Sequence, residues 1–431
     1  MNQSVLTIVA DVGPGREAEL TETLATIGGD PSGNAVLPLG QFEQLHFASL
    51  VLADGPEVRT PKLVFESNVD GTTAAWLTTL SQEAGGGLDA LFLGSPGYTG
   101  STDPARLQAW LADRVVRPGA YHIGATGRSV ERIRQEQRLH DQISEFLAAE
   151  EEAGGLRGLT QNAVRAKVQA FVRNEPTLAW AATRPPPRET LAEKAMHRLR
   201  AAAVVAAAVV LAPLLVPVVA VGYVVLRVKE KTDPVRQTPP EPAHIRQVEA
   251  TEDLCVFEGV GGPTLLAQNH LSSVIPVKPG MLRAALLPLV LFALNLLARI
   301  IFTKGKLGNI PSIHFAHWSL IDDRRHLLFV SNFDGSWESY LGDFIDKAAV
   351  GLTAVWSNTK EFPRTRNLLS EGAADGPRFR QWARGSQCGT NAWYTAYPDL
   401  TMTAIDNNSA IREELLTRLD DEGTTTWLRR L

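Results

Sequence analysis

Ser331-Asn332-Phe333-Asp334-Gly335 decides how this chain is read, because its setting occurs twice. His314-Phe315-Ala316 precedes it, and Gly351-Leu352-Thr353-Ala354-Val355-Trp356 follows. Earlier in the chain, His46-Phe47-Ala48 precedes Ser67-Asn68-Val69-Asp70-Gly71, and Gly87-Leu88-Asp89-Ala90-Leu91-Phe92 follows. Serine and Gly-Leu are 20 residues apart in both copies. Histidine and serine are 21 apart in the first copy and 17 in the second, a difference that one hairpin loop absorbs. Such a recurrence marks an internal duplication, and every later assignment follows from it.

Around the first copy, Val5 to Val12 reads as a strand, and Pro14-Gly15 turns it into an amphipathic helix from Arg16 to Ile27. His46 to Ala53 and Lys62 to Ser67 read as a strand pair across the turn signal Asp54-Gly55-Pro56. Asp70-Gly71-Thr72 opens a helix carrying Trp76, Leu77 and Leu80, and Leu88 to Leu93 reads as a fourth strand. The order is βαββαβ, a ferredoxin-like unit. A helix around Arg106 to Val115, a short segment at Tyr121-His122-Ile123 and a charged helix from Ser129 to about Ala149 extend it. The second copy repeats this, with Asn269 to Val277, Ile313 to Ile321, Leu327 to Ser331 and Leu352 to Trp356 as strands and Trp337 to Val350 as a helix. Its extension repeats too: Arg378 and Trp382 match Arg106 and Trp110, and Trp393 is level with Tyr121. The expected fold class is α+β, with two tandem ferredoxin-like repeats at 1–147 and 268–431. A sheet covered by helices on one face needs a second cover, so the repeats are expected to pack sheet against sheet about a pseudo-two-fold axis.

Residues 148–267 connect them. Pro185-Pro186-Pro187 and Pro239-Pro240-Glu241-Pro242 are stiff linkers. Between them, Ala201 to Leu226 holds 26 residues without a charge, long enough to enter a bilayer. Five basic residues precede it (Arg184, Arg188, Lys194, Arg198, Arg200) and five follow (Arg227, Lys229, Lys231, Arg236, Arg246). This tie gives the positive-inside rule no preference. It suits a re-entrant or in-plane segment with both repeats on the cytoplasmic side. The helix Ala284 to Ala298 is apolar all round, unlike its half-polar counterpart Arg16 to Ile27, and so needs cover by protein or lipid. Leu287, Leu291 and Leu294 are the candidate membrane-contacting residues, bordered by Arg299, Lys304 and Lys306.

The 431 residues suffice for several packed units, with 44% hydrophobic content. A net charge of -5 gives no reason to expect nucleic acid. Cys255 and Cys388 cannot build a disulfide framework. The N-terminus runs straight into a strand, without a basic region or a long apolar core, so no secretory signal is read.

Two constellations could carry chemistry. Asp70-Gly71 and Asp334-Gly335 stand at strand ends, where aspartate caps a helix or moves a proton. His46 and His314 hold the same strand position in both copies. His314 and His317 form an H-x-x-H, but strand residues three apart face opposite ways, which argues against one metal. If the strands line a cavity, then His46, Asp70, His317, Trp318 and Asn332 are its candidate ligand-lining residues. Gly259-Val260-Gly261-Gly262-Pro263 has the wrong spacing for a dinucleotide fingerprint.

Two such units with an Asp-Gly after a strand resemble the dimeric α+β barrel superfamily, and within it the dye-decolorising haem peroxidases. The distal motif of that family is Gly-x-x-Asp-Gly; here serine replaces the first glycine in both copies. The resemblance implies Asp334 as acid-base group, His314 as preferred iron ligand and haem as a possible cofactor. The chain is also similar to a bacterial group of membrane-associated duplicated proteins. Two functions follow as expectations. One is a membrane-associated module that binds a lipid or other lipophilic small molecule, or docks a partner enzyme. The other is a haem-dependent enzyme acting on a lipophilic substrate.

Overall fold

A computed structural model describes residues 3–54, 57–101, 103–183, 191–236, 238–252, 268–300 and 310–431. The first half runs β1 (Gln3–Asp11), α1 (Glu17–Gly29), β2 (Leu45–Ala53), β3 (Lys62–Asp70), α2 (Thr73–Glu83), α3 (Gly85–Phe92), α4 (Pro104–Ala112), β4 (Ala120–Ile123) and α5 (Val130–Glu152). Next come α6 (Gln161–Asn174), α7 (Leu191–Thr232) and α8 (Pro242–Glu252). The second half repeats the order as β5 (Gln268–Pro276), α9 (Met281–Ile300), β6 (Ile313–Ile321), β7 (His326–Asp334), α10 (Trp337–Lys347) and α11 (Ala349–Trp356). It adds a small hairpin, β8 (Thr365–Arg366) and β9 (Ser370–Glu371), then α12 (Gly376–Ser386), β10 (Gln387–Cys388), β11 (Ala392–Thr395), α13 (Met402–Leu415) and α14 (Asp421–Leu428).

Tandem ferredoxin-like units are not what these elements build. Leu88 to Leu93 and Leu352 to Trp356, expected as fourth strands, lie mainly in α3 and α11. In the first, Leu88, Leu91 and Phe92 are buried, which is helical spacing; in the second all five residues from Leu352 to Trp356 are buried, a run without a period, which suits a buried helix as well as a strand. Each half fills the vacant edge of its partner's sheet. The sheets have the order β1-β3-β2-β11 and β10-β5-β7-β6-β4. Thus β11, from the second half, pairs antiparallel with β2, with Tyr394 opposite Ala48. In return β4, from the first half, pairs with β6, with His122 opposite Ala316. The exchange protects two sheet edges that would otherwise expose unpaired amides.

Helices cover the outer face of each sheet, with Trp76 of α2 over Leu50 and Phe65 in one half and Trp356 of α11 over Trp318 and Phe329 in the other. The inner faces meet. One end of this interlayer is apolar, built from Val51, Val64, Val274, Ile321, Leu328 and Val330; the other end is polar. A further helical core joins α5, α6, α13 and α14 through Leu139, Ile143, Val168, Ile411 and Trp427.

Among the described residues, no helix is long and apolar enough to cross a membrane. The expected membrane segment, Ala201 to Leu226, lies inside α7, a helix of 42 residues. Its C-terminal end belongs to the folded body. Leu226 and Glu230 are buried, and Glu230 accepts from Asn367 N (3.1 Å), Leu368 N (2.7 Å) and Thr365 Oγ1 (3.1 Å). One turn on, Asp233 holds Lys278 (3.0 Å) and Arg283 (2.9 Å) at the head of α9.

Candidate functional site

The recurring histidine is the extra residue of a β-bulge in each copy. Leu45 and Phe47 oppose Val69 and Asn68, leaving His46 without its own partner in β3; His314 is placed likewise between Ile313 and Phe315. A bulge re-aims a side chain, and here it sends both imidazoles to the aspartate that ends the neighbouring strand. His46 Nε2 lies 3.2 Å from Asp70 Oδ1, and His314 Nε2 lies 2.6 Å from Asp334 Oδ1.

Neither aspartate caps the helix that follows it. Thr72 and Ser336 do that, accepting from Ala75 N and Ser339 N. Asp70 Oδ2 reaches the first turn of α5, accepting from Val130 N at 2.9 Å, and Asp334 Oδ2 accepts from Met402 N of α13 at 2.8 Å. A carboxylate suits both tasks, since it accepts from imidazole and favours the positive end of a helix dipole. Gly71 and Gly335, at φ 97° and 79°, make the tight turn after each aspartate, a region open to glycine.

The two pairs meet around Tyr397, whose hydroxyl lies 2.9 Å from His46 Nδ1. Burial, and then the Asp70 and Asp334 carboxylates, push the Tyr397 phenol well above its usual range, so it remains a donor. The His314 ring packs 5.1 Å from Phe47 and 6.1 Å from Tyr397.

The polar end of the interlayer holds a second cluster. Thr7, Glu66, Ser49 and Trp393 form one cross-strand row of the first sheet. Opposite them, His317 Nε2 is 3.1 Å from Thr7 Oγ1, and His317 Nδ1 is 3.9 Å from Glu66 Oε1. Asn68 donates to Glu66, Asn332 Nδ2 donates to Asn68 Oδ1 at 3.0 Å, and Trp393 Nε1 donates to Asn332 Oδ1 at 2.8 Å. His270 Nδ1 lies 2.9 Å from Thr390 Oγ1. Burial dominates the titrations: it raises Glu66 to about 8 and lowers His317 and His270 to about 3. All three are therefore neutral at pH 7.

Of the expected ligand-lining residues, His46, Asp70, His317 and Asn332 face the interlayer or its end. Trp318 does not; it stacks on Phe329 at 4.8 Å within the helix-covered core. None of them lines either of two open clefts, which lie near Lys62 and Asp322 and near Phe146 and Phe171. His314 does not fit the role of haem ligand. It is fully buried, its Nε2 is held by Asp334, and side chains occupy its ring faces. Among the described residues, no group of three His, Cys, Asp or Glu side chains is disposed to hold a metal.

The leucines expected at a membrane are inside the protein. Leu287 and Leu291 are buried in the second core, and Leu294 packs against it. Arg299 carries no described side-chain environment, and Lys304 and Lys306 lie outside the described residues. Other side chains of α9 are exposed: Met281, Leu289, Phe292 and Leu297. On α7, residues 202 to 207 are all exposed, as are Val209, Val210, Val216, Val221 and Val224. Six successive residues cover a full helical turn and more, so α7 is open on all sides over residues 202–207.

Sequence reasoning missed Glu66, His270 and Tyr397. Strand parity carried the signal for Glu66, since it shares a face with Val64 and Asn68. Comparison with protein-family models, with curated proteins and with solved structures found no match.

Proposed function

We propose that this chain is a non-catalytic binding module that takes a lipid or similar lipophilic ligand on the exposed apolar surface of α7 and α9. The observation behind this reading is the stretch of α7 from Ala202 to Val210, apolar in sequence and open to solvent wherever its side chains are described. A helix apolar all round needs cover on every side. Acyl chains conform to such a surface and need no matching groove. Leu289, Phe292 and Leu297 add exposed apolar side chains on α9, which touches α7 where Gly222 lies against Leu282. The binding is peripheral and does not rest on a spanning helix. Chemistry at the histidines is disfavoured, since each recurring imidazole is sealed between an aspartate and aromatic rings.

The test is flotation with phosphatidylcholine vesicles. Covering one valine or phenylalanine is worth about 1.5–3 kcal/mol. Replacing Val205, Val209, Val210 and Phe292 together with glutamine is therefore expected to abolish flotation while leaving the circular dichroism of the folded body unchanged. A wild-type protein that stays at the bottom of the gradient, or a variant that floats equally well, overturns the proposal.

A further inference from the structure

The polar interlayer contains three titratable groups that the duplicated fold does not require. Aligning Ser67 with Ser331 places Glu66 opposite Val330 of the other copy. Aligning His46 with His314 places His317 at the position of Ser49. Gln3 and Gln268 pair with Asp70 and Asp334 in the same register, which places His270 at the position of Val5. At each position one copy manages with valine or serine where the other holds an ionisable group: Glu66 stands in the first copy, His270 and His317 in the second. These three converge: Glu66 and His317 are 3.9 Å apart, and His317 is close enough to His270 to lower the proton affinity of His270 beyond what burial does. Glu66 Oε2 and His270 Nε2 are buried without a hydrogen-bond partner.

We propose that Glu66 and His317, with His270 beside them, form a buried proton-binding site that locks the two sheets together. A protonated Glu66 leaves this cluster uncharged, and Asn68, Asn332, Thr7 and Trp393 then bridge the sheets by hydrogen bonds. Loss of that proton leaves a sealed carboxylate with only the neutral Asn68 and Ser49 side chains to support it, and a buried charge without an opposite charge is strongly unfavourable. Water must enter, so the sheets part along β3 and β6. The other titratable groups facing the interlayer are Tyr121 of β4, Cys388 of β10, and Tyr397 with the two His–Asp pairs; Tyr394 of β11 and His122 of β4 pair with Ala48 and Ala316 on the outer faces. At the far end stand Asp11, Lys62, Asp322 and His326. Burial holds Cys388 up to about 11, so it stays neutral through the range concerned.

The experiment is a pH titration of the full chain carrying carboxyl-13C glutamate, with hydrogen exchange of the β3 and β6 amides followed in parallel. The expected result is a Glu66 carboxyl that titrates with a midpoint of about 8, and amide protection that falls over the same range. Both changes vanish in Glu66→Gln and in Glu66→Val, the residue found at the equivalent position. A Glu66 carboxyl titrating near 4.5 overturns the proposal without recourse to any variant. So does protection that falls equally in wild type and Glu66→Val.

Discussion

Replacing Asp334 with alanine separates the role of the Asp-Gly motif from that of an ordinary helix cap. Asp334 accepts from His314 Nε2 at 2.6 Å and from Met402 N at 2.8 Å, with its side chain 12% exposed. Hydrogen bonds to a charged group contribute about 1.5–3 kcal/mol each. The substitution also leaves His314, whose Nδ1 already lacks a partner, without its carboxylate, and strips an anion from the first turn of α13. A loss of about 3–5 kcal/mol follows, a large share of the roughly 5–15 kcal/mol typical of a domain. Ser336→Ala removes only the true cap of α10 and is expected to cost about 1 kcal/mol. Asp334→Asn keeps one acceptor and falls between them. Urea unfolding followed by far-UV circular dichroism reads all three midpoints. If Asp334→Ala costs no more than Ser336→Ala, the bridge from β6 through Asp334 to α13 has no energetic weight and the reasoning fails.

The acidity of the interlayer predicts a stability optimum. Glu66 is raised to about 8, so its contribution is complete below 4.5 and is lost as pH rises through 8. His317 and His270 are lowered to about 3, so theirs is complete above 6.5 and is lost as pH falls through 3. Two histidines outweigh one acid below 6.5, which places the maximum near that pH; urea midpoints from pH 4 to 9 check it, and Glu66→Gln should flatten the alkaline limb. On α9, Leu287→Ala should cost about 2–5 kcal/mol by opening a cavity, whereas Phe292→Ser on the exposed side should leave the thermal midpoint nearly unchanged. Equal effects of these two would mean that α9 is covered on both sides.

The duplication was legible because its marks are structural necessities. The histidine occupies a bulge, the serine meets an aromatic of the following helix (Trp76 or Tyr340), and the aspartate ties a strand to a distant helix. Strand positions followed from apolar runs bounded by turn signals, since these strands are buried on both faces, although β3 and β7 continue through Asp70 and Asp334, beyond the expected ends. The fourth strand was misread because a run such as Leu88-Asp89-Ala90-Leu91-Phe92 is too short for period alone to separate strand from buried helix. The exchange of β4 and β11 could not be read locally, since which edge a short strand joins is fixed by tertiary contacts. The candidate site was legible in its repeated parts, His46, Asp70, His314 and Asp334. Glu66 and His270 were not, because only the interlayer register makes them neighbours.

The reciprocal strand exchange is the claim on which the interlayer, its polar site and the interlocking of the halves all rest. Cross-strand amide NOEs in perdeuterated protein test it directly. Contacts between Tyr394 and Ala48, and between His122 and Ala316, are the predicted result, because those residues face one another in the antiparallel register. Amide contacts that place Tyr121-His122-Ile123 beside β1 or β2, within its own half, would contradict it.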